Sequence, residues 1–370
     1  MINIKETASK LLQGCIIYSI NGVKMYTPDG AGRYAAHWTR DFSYMVEDAG
    51  DLIPTNDIKN GIQYIIDGAR EDGWMPDRVD TNGEAWYTAG GRNELEALPN
   101  LDNGCFLCFL ADDYLKKLDR EKAIGQFKKW KSALCKGLDC LPVAKNGIVD
   151  NSSNPPHSPF GFTDTVRKTG LLCMETLLLW RAKRKMIFWL NGCGYSTKKY
   201  EQDCRLIERS FTDVFLKEDG MFRAATQKCD QTDIWATCYA VSIGFPLSDD
   251  VKYGIADRLI KNYESITESG QLRHLPAGEF WEDTFVKVPE GTYQNGAFWA
   301  TPVKWFYDAL CLRDINLARK TVKDALSYFE KYGVFECVNG NYKQLDTYVA
   351  SATAIYGACK KDSELKNLIK

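Results

Sequence analysis

Three short segments of the chain place acids where they could do proton chemistry. The first is His37-Trp38-Thr39-Arg40-Asp41-Phe42-Ser43-Tyr44, which follows an extended stretch through Tyr26-Thr27-Pro28-Asp29-Gly30 and opens a helix. There the Asp41 carboxylate can accept two sugar hydroxyls, the Arg40 guanidinium can donate to others, and the Trp38 indole can pack on the apolar face of a ring. A capping acid with a neighbouring ion pair explains the same residues more plainly. The second segment is Phe160-Gly161-Phe162-Thr163-Asp164-Thr165-Val166-Arg167, at the end of a long loop. Asp164 stands among Pro155, Pro156, Pro159, Phe160 and Phe162, and partial burial there raises a carboxyl pKa and suits it to general-acid work. Its plain alternative is a helix N-cap by Thr163 or Asp164. The third is Gly333-Val334-Phe335-Glu336-Cys337-Val338-Asn339-Gly340-Asn341-Tyr342, where Glu336 could activate a water as general base. A short β-hairpin carrying an exposed Glu is the alternative.

A fourth segment, Tyr293-Gln294-Asn295-Gly296-Ala297-Phe298-Trp299, offers amides and rings that suit a sugar pocket, with Asn295 placed as an N-cap. Asp102 is a further acid at the start of a helix. Trp74, Trp86, Tyr87, Trp281 and Tyr293 fall in or beside long loops, where exposed aromatic rings favour stacking on saccharides. The candidate binding set is therefore Trp38, Arg40, Asp41, Asp102, Trp86, Tyr293, Asn295 and Trp299, around Asp164 and Glu336.

The elements that must position these residues are almost all helical. An apolar period of 3.6 residues marks about twelve helices, at 3–13, 38–52, 56–70, 101–117, 119–137, 163–184, 197–217, 231–243, 248–264, 295–311, 314–331 and 345–359. Convincing strand alternation is nearly absent. Short connections alternate with long ones at 72–100, 138–162 and 265–294, which are rich in Gly, Pro, Trp and Tyr, and loops of that length are usually functional. The pattern predicts an all-α fold of six helical hairpins, an (α/α)6 barrel of two concentric rings whose long loops share one rim. No linker or charge block divides the chain, so residues 1–370 read as one domain.

Composition narrows the partners. The chain is 45% hydrophobic and 26% charged with a formal charge of −2, ordinary for a globular protein. Lys and Arg are scattered, so nothing forms the basic footprint of a nucleic-acid or anionic-membrane binder. No run approaches the roughly 20 apolar residues of a membrane span. The first residues lack a basic, then apolar, leader pattern, so the expected location is cytoplasmic. Thirteen Cys lie mostly within helical patterns and read as free buried thiols. Cys105-x-x-Cys108 has no second pair, and His37, His157 and His274 lie far apart, so neither a metal nor another cofactor is expected. The expected state is a monomer or weak homo-oligomer acting on carbohydrate.

Trp38-Thr39-Arg40-Asp41 resembles the Trp-x-Arg-Asp motif of glucoamylases and related six-hairpin glycosidases, including processing alpha-glucosidase and trehalase-like enzymes. The resemblance implies that Arg40 and Asp41 hold hydroxyls of the terminal sugar. Gly161-Phe162-Thr163-Asp164-Thr165-Val166-Arg167 is similar in place to the general-acid segment of that group, Gly-x-Asp-Asp-x-Pro-Arg, without one Asp and the Pro. Phe335-Glu336-Cys337-Val338-Asn339-Gly340 looks like the Trp/Phe-Glu-x-Tyr-Asn segment that supplies the base, without the Tyr. Tyr293 to Trp299 is similar to a Trp-Arg-Gly-Pro-x-Trp segment. Together these imply an inverting exo-glycoside hydrolase acting on an α-linked terminal hexose, with Asp164 as acid and Glu336 as base. Their carboxyls would stand roughly 6.5–9.5 Å apart to admit a water. Two alternatives stay open: an unsaturated glucuronyl hydrolase of the same fold using Asp102, and a non-catalytic saccharide-binding barrel.

Overall fold

The computed structural model describes residues 2–91 and 94–369; Arg92 and Asn93, inside the 72–100 loop, lie outside the described residues. The helices are α1 (Ile4–Gly14), α2 (Thr39–Ala49), α3 (Thr55–Asp67), α4 (Asn103–Leu115), α5 (Arg120–Asp139), α6 (Cys173–Gly192), α7 (Lys198–Phe215), α8 (Ile234–Ser242), α9 (Asp249–Lys261), the single turn α10 (Tyr263–Ile266), α11 (Val303–Leu310), α12 (Ile315–Tyr332) and α13 (Val349–Lys361). Six of them pack in a closed cycle, α2 on α4, α4 on α6, α6 on α8, α8 on α11, α11 on α13, and α13 back on α2. The remaining long helices lie outside this cycle, α1 on α13, α3 on α4, α5 and α7 on α6, α9 and α12 on α11.

Sequence separates the two sets. The outer α7 buries only the stripe Tyr200, Cys204, Ile207, Phe211 and Phe215, which recurs at helical spacing, while its other face meets water. The inner α4, NGCFLCFLADDYL, is buried almost all round, because it faces neighbours on every side. Side-chain caps are commoner on the outer helices, as where Asp119 accepts from the Lys122 amide at 2.9 Å and Asp314 from those of Asn316 and Leu317, although the inner α8 is capped too, by Asp233. One hydrophobic cluster runs from Ile4 to Leu365. Among the described residues no helix is long and apolar enough to cross a membrane.

The expectation of an all-α chain needs correction. Short strands line the loop rim: β1 (Ile16–Tyr18) with β2 (Lys24–Tyr26), then β3 (His37–Trp38), β4 (Arg78–Val79) and β5 (Ala85–Trp86) in one antiparallel sheet. A five-stranded antiparallel sheet runs in the order β10 (Tyr342–Asp346), β9 (Phe335–Asn339), β8 (Phe298–Trp299), β7 (Gln271–Arg273), β6 (Thr267–Glu268). Most of these strands are two or three residues long, too short to show alternation in sequence.

Two helices begin much later than expected, by more than two turns each. The 163–184 helix starts at Cys173, and Thr163 instead ends a 3-10 turn, Gly161–Thr163. Between them the chain is extended, bridging Val166 to Thr284 and Leu172 to Ala225, with Gly170 at φ +81° turning it. The 295–311 helix starts at Val303, immediately after Pro302. Proline disfavours helical backbone in the residue before it, so the helix cannot extend back through Thr301. Neither Thr163 nor Asn295 caps a helix.

Candidate active site

Asp29 shapes one wall of the site. Its two carboxylate oxygens accept the Arg33 and Tyr34 amides at 3.1 and 2.9 Å, closing a turn through Gly32 at φ +78°. Tyr34 is thereby aimed inward, where its hydroxyl donates to Glu336 Oε1 at 3.0 Å and lies 3.4 Å from the Tyr293 hydroxyl. Trp38 meets the Tyr34 ring edge-on at 5.3 Å.

Arg40 sits in the first turn of α2, where the helix dipole disfavours a cation. Four acids reverse that preference. Its guanidinium donates to Asp77 Oδ1 at 3.1 and 3.3 Å and lies 3.7 Å from Asp102 Oδ2 and 3.9 Å from Asp164 Oδ2. Burial opposes the charge, but Asp102, Asp77, Asp41 and Asp164 outweigh it and hold the guanidinium firmly protonated. Gly161 must be glycine for the same reason: a Cβ there would stand 1.5 Å from Arg40 Cζ.

The loop bearing Asp164 is pinned from three directions. Glu175 accepts the Phe160 amide at 2.7 Å, Asp102 accepts the Gly161 amide at 2.8 Å, and Gln294 donates to the Gly161 carbonyl at 3.1 Å and to Asp164 Oδ1 at 2.8 Å. Burial pushes the Asp164 carboxyl up to about 7, with Arg40 and the Gln294 hydrogen bond opposing and Asp77 and Asp102 reinforcing the shift. Glu336 reaches the same cavity from β9. Burial pushes it up to about 8, opposed by the Tyr34 hydrogen bond and Arg33 and reinforced by repulsion from Asp41 and Asp164. Its Oε2 is buried with no hydrogen-bond partner among the described residues. Asp41 is raised by burial too, and accepts from the Tyr348 hydroxyl at 2.5 Å.

These groups line a cavity of about 590 Å³. Arg40, Gly161 and Phe162 line its inner end, and Phe162 packs onto Tyr44, Phe160, Trp235 and Trp299, a buried aromatic plug against the inner helices α2 and α8. Arg33 and Lys287 outnumber Glu94 among the charges at the cavity's outer wall. Two carboxyls with pKa values near neutrality on one cavity can, between them, donate and accept a proton at physiological pH.

Of the residues selected from sequence, Trp38, Arg40, Asp41, Asp164, Tyr293 and Glu336 line this cavity. Four others do not. Asp102 is fully buried behind Arg40 and holds the Gly161 amide. Trp86 donates from Nε1 to Asp80 at 2.9 Å and lies under the Arg78 guanidinium. Asn295 ties its own loop, accepting from the Trp281 amide and donating to the Val288 carbonyl. Trp299 belongs to the plug and donates to the Tyr293 carbonyl at 3.2 Å. In each case the side chain suits sugar binding by type, but the fold turns it toward protein. The hairpin foreseen around Glu336 forms, yet Glu336 is 2% exposed.

Sequence reasoning missed Arg33, Tyr34, Asp77, Gln294 and Tyr348. The Asp29-Gly30-Ala31-Gly32 run is a turn signal that could have drawn attention to Tyr34. Gln294 lay inside a selected segment beside the residue chosen. Nothing local marks Asp77 or Tyr348.

No family model matches the sequence, and no curated protein does. Solved structures do match in fold. A GH63 mannosylglycerate hydrolase from Thermus thermophilus, solved with glucose, superposes with a TM-score of 0.66 at 15% identity, covering 96% of this chain and 99% of that one. The same enzyme with Tris and D-glycerate gives 0.65 at 16% identity, over 95% and 99%. A rhamnosidase from Klebsiella oxytoca with rhamnose bound gives 0.67 at 15% identity, over 96% of this chain and 62% of that one. The chain thus shares the six-hairpin glycosidase fold along nearly its whole length.

Proposed function

We propose that the chain is a glycoside hydrolase, one catalytic unit that removes a terminal, α-linked hexose with inversion, using Asp164 as general acid and Glu336 as general base. The observation that carries this reading is the pair of buried carboxyls with raised pKa values on a single cavity. In the step itself, Asp164 gives its proton to the glycosidic oxygen as the C1–O bond breaks, and Glu336 takes a proton from the water that bonds to C1 on the other face. The partnerless Oε2 of Glu336 is where that water would donate, and its hydrogen bond would favour the ionised base. Asp41 and Trp38 would hold the terminal ring, with Arg40 acting on it from the inner end. The aromatic plug supports exo action, because a sugar chain can enter from the rim but not thread through.

Fold neighbours solved with glucose, D-glycerate and rhamnose suit this reading without choosing the sugar. Arg33 and Lys287 favour a leaving group that carries a negative charge. Asp102 lies off the cavity, so the hydration of unsaturated uronides loses the acid that was to perform it. The test is a panel of nitrophenyl glycosides and α-linked disaccharides, with neutral and carboxylated leaving groups, followed by proton NMR. One sugar released as the inverted anomer supports the proposal; the retained anomer overturns the two-carboxylate roles, and heat of binding without turnover supports a saccharide-binding barrel.

The pH profile should be narrow. The two carboxyls repel each other, so they titrate as a pair with apparent values near 7 and 8 in the free protein. The competent form is the singly protonated pair with the proton on Asp164 and Glu336 ionised. Because Glu336 is the weaker acid, this is the minor of the two singly protonated forms in the free protein, and a water donating to Glu336 Oε2 shifts the proton toward Asp164. We expect kcat/KM to fall both below about 7 and above about 8. A flat profile from about pH 5 to 9 would rule out this pair as acid and base.

A further inference from the structure

Gln294 is completely buried, and every hydrogen-bonding direction of its amide is used. Its Oε1 accepts from the Thr165 amide at 3.0 Å and the Thr165 hydroxyl at 2.6 Å. Its Nε2 donates to the Gly161 carbonyl at 3.1 Å and to Asp164 Oδ1 at 2.8 Å. A backbone amide can only donate and a carbonyl can only accept, so the orientation of the side-chain amide is determined at both ends. Asp164 Oδ1 consequently faces an N–H at all times, and a proton placed there would have to turn away from that N–H and leave it a hydroxyl oxygen, a weaker acceptor than the carbonyl oxygen. Oδ2 is 3.9 Å from Arg40, beyond hydrogen-bonding reach, and the Asp164 side chain is 10% exposed, toward the cavity it lines.

We propose that Gln294 is a positioning residue that dictates which oxygen of Asp164 holds the catalytic proton, keeping Oδ1 as acceptor and leaving the proton on Oδ2. This rests on the reading of Asp164 as general acid. When the Oδ2–H bond breaks, the proton passes to the glycosidic oxygen. That oxygen also takes the electron pair of the breaking C1–O bond. The charge left on the Asp164 carboxylate is met by the Gln294 N–H, whose bond to Oδ1 strengthens as the charge grows. The same amide ties Gly161 and Thr165, on either side of Asp164, so the donor oxygen is held in place as well as selected.

The test uses Q294L, which removes the N–H, and Q294E, which presents an oxygen to Oδ1 and draws the proton away from Oδ2. Each is assayed on two glycosides of the sugar the wild type cleaves, one with an alkyl alcohol and one with dinitrophenol as leaving group. The alkyl glycoside needs protonation and should lose on the order of 100-fold in kcat/KM in Q294L, and more in Q294E. The dinitrophenyl glycoside leaves unaided and should change by less than about threefold. Equal losses on both substrates would reduce Gln294 to a packing role and overturn the proposal. A second measurement needs no substrate: a carbon-13 NMR titration of Asp164 in the free protein. Losing a hydrogen bond that favours the carboxylate should move its apparent pKa upward in Q294L. An unmoved titration would also overturn the proposal. D164N run on the same two glycosides separates the two ideas, because full alkyl-glycoside activity in D164N removes the general acid itself.

Discussion

Replacing Glu336 with glutamine is expected to lower kcat by about 10³-fold or more while making the protein more stable at alkaline pH. The first effect follows from the role: an amide cannot take the proton of the attacking water, and positioned general acid–base groups contribute about 10²–10⁴-fold each. D164N should match it on glycosides of alkyl alcohols. The second effect follows from burial. The Glu336 carboxyl is raised from 4.5 in an exposed setting to about 8 in the fold, so its protonated form is the one the fold favours. That contribution is fully present below about 4.5 and is lost as pH rises through about 8. At pH 9 the wild type holds an ionised carboxylate in a buried site beside Asp41 and Asp164. Glutamine keeps the acceptor for Tyr34 and carries no charge. The melting temperature of E336Q should therefore exceed that of the wild type by a few degrees at pH 9, and the gap should shrink toward pH 6. Thermal unfolding at the two pH values, with kcat on the same preparations, checks both halves. A stability difference that ignores pH, or a variant keeping a tenth of wild-type activity, sinks the assignment of Glu336.

The second large effect belongs to Arg40. Arg40→Met keeps an unbranched stem about as far as Nε and removes the charge on which Asp77, Asp102 and Asp164 converge. Breaking a buried ion pair from one side costs about 3–5 kcal/mol, because the remaining charge has neither partner nor water. Here Asp77 and Asp102 are completely buried. Their carboxyls already lie above the usual range, Asp102 at about 6, and without Arg40 they rise further. The sign with pH follows: acidification protonates them and relieves the penalty. R40M should lose far more melting temperature at pH 8 than at pH 5, relative to wild type at each pH. G161A drives a methyl group into the same guanidinium and should be comparably destabilised, without removing the charge, so its loss should depend little on pH. An equal loss for R40M at both pH values would mean that Arg40 contributes packing rather than charge.

This ion cluster also marks where sequence reading stopped. Arg40 and Asp41 were identified by type and by the motif around them, and both line the cavity. That Arg40 is held by Asp77 and Asp102, so that it supports Asp164 from below, depends on acids 37, 62 and 124 positions away along the chain. Glu336 shows the same division. Its hairpin was legible, because Asn339-Gly340 is a local turn signal with Gly340 at φ 55°. Its burial was not, because the hydroxyl that meets it belongs to Tyr34, 302 residues away.

The helices, their short and long connections and the alternation of amphipathic with wholly apolar segments are written locally in the chain. Helical period, caps and glycine stops act over a few residues, and α7 and α4 differ in pattern as they differ in burial. Where that local signal weakens, boundaries slip: the segments 163–172 and 295–302 look like helix until Gly170 and Pro302 are weighed. Only closure of the ring decides which way Trp86, Asn295 and Trp299 point, which oxygen of Asp164 is free, and which acids share Arg40. Those are contacts between residues distant in sequence, set by packing and by the cost of leaving a buried polar group without a partner, and no local pattern encodes them.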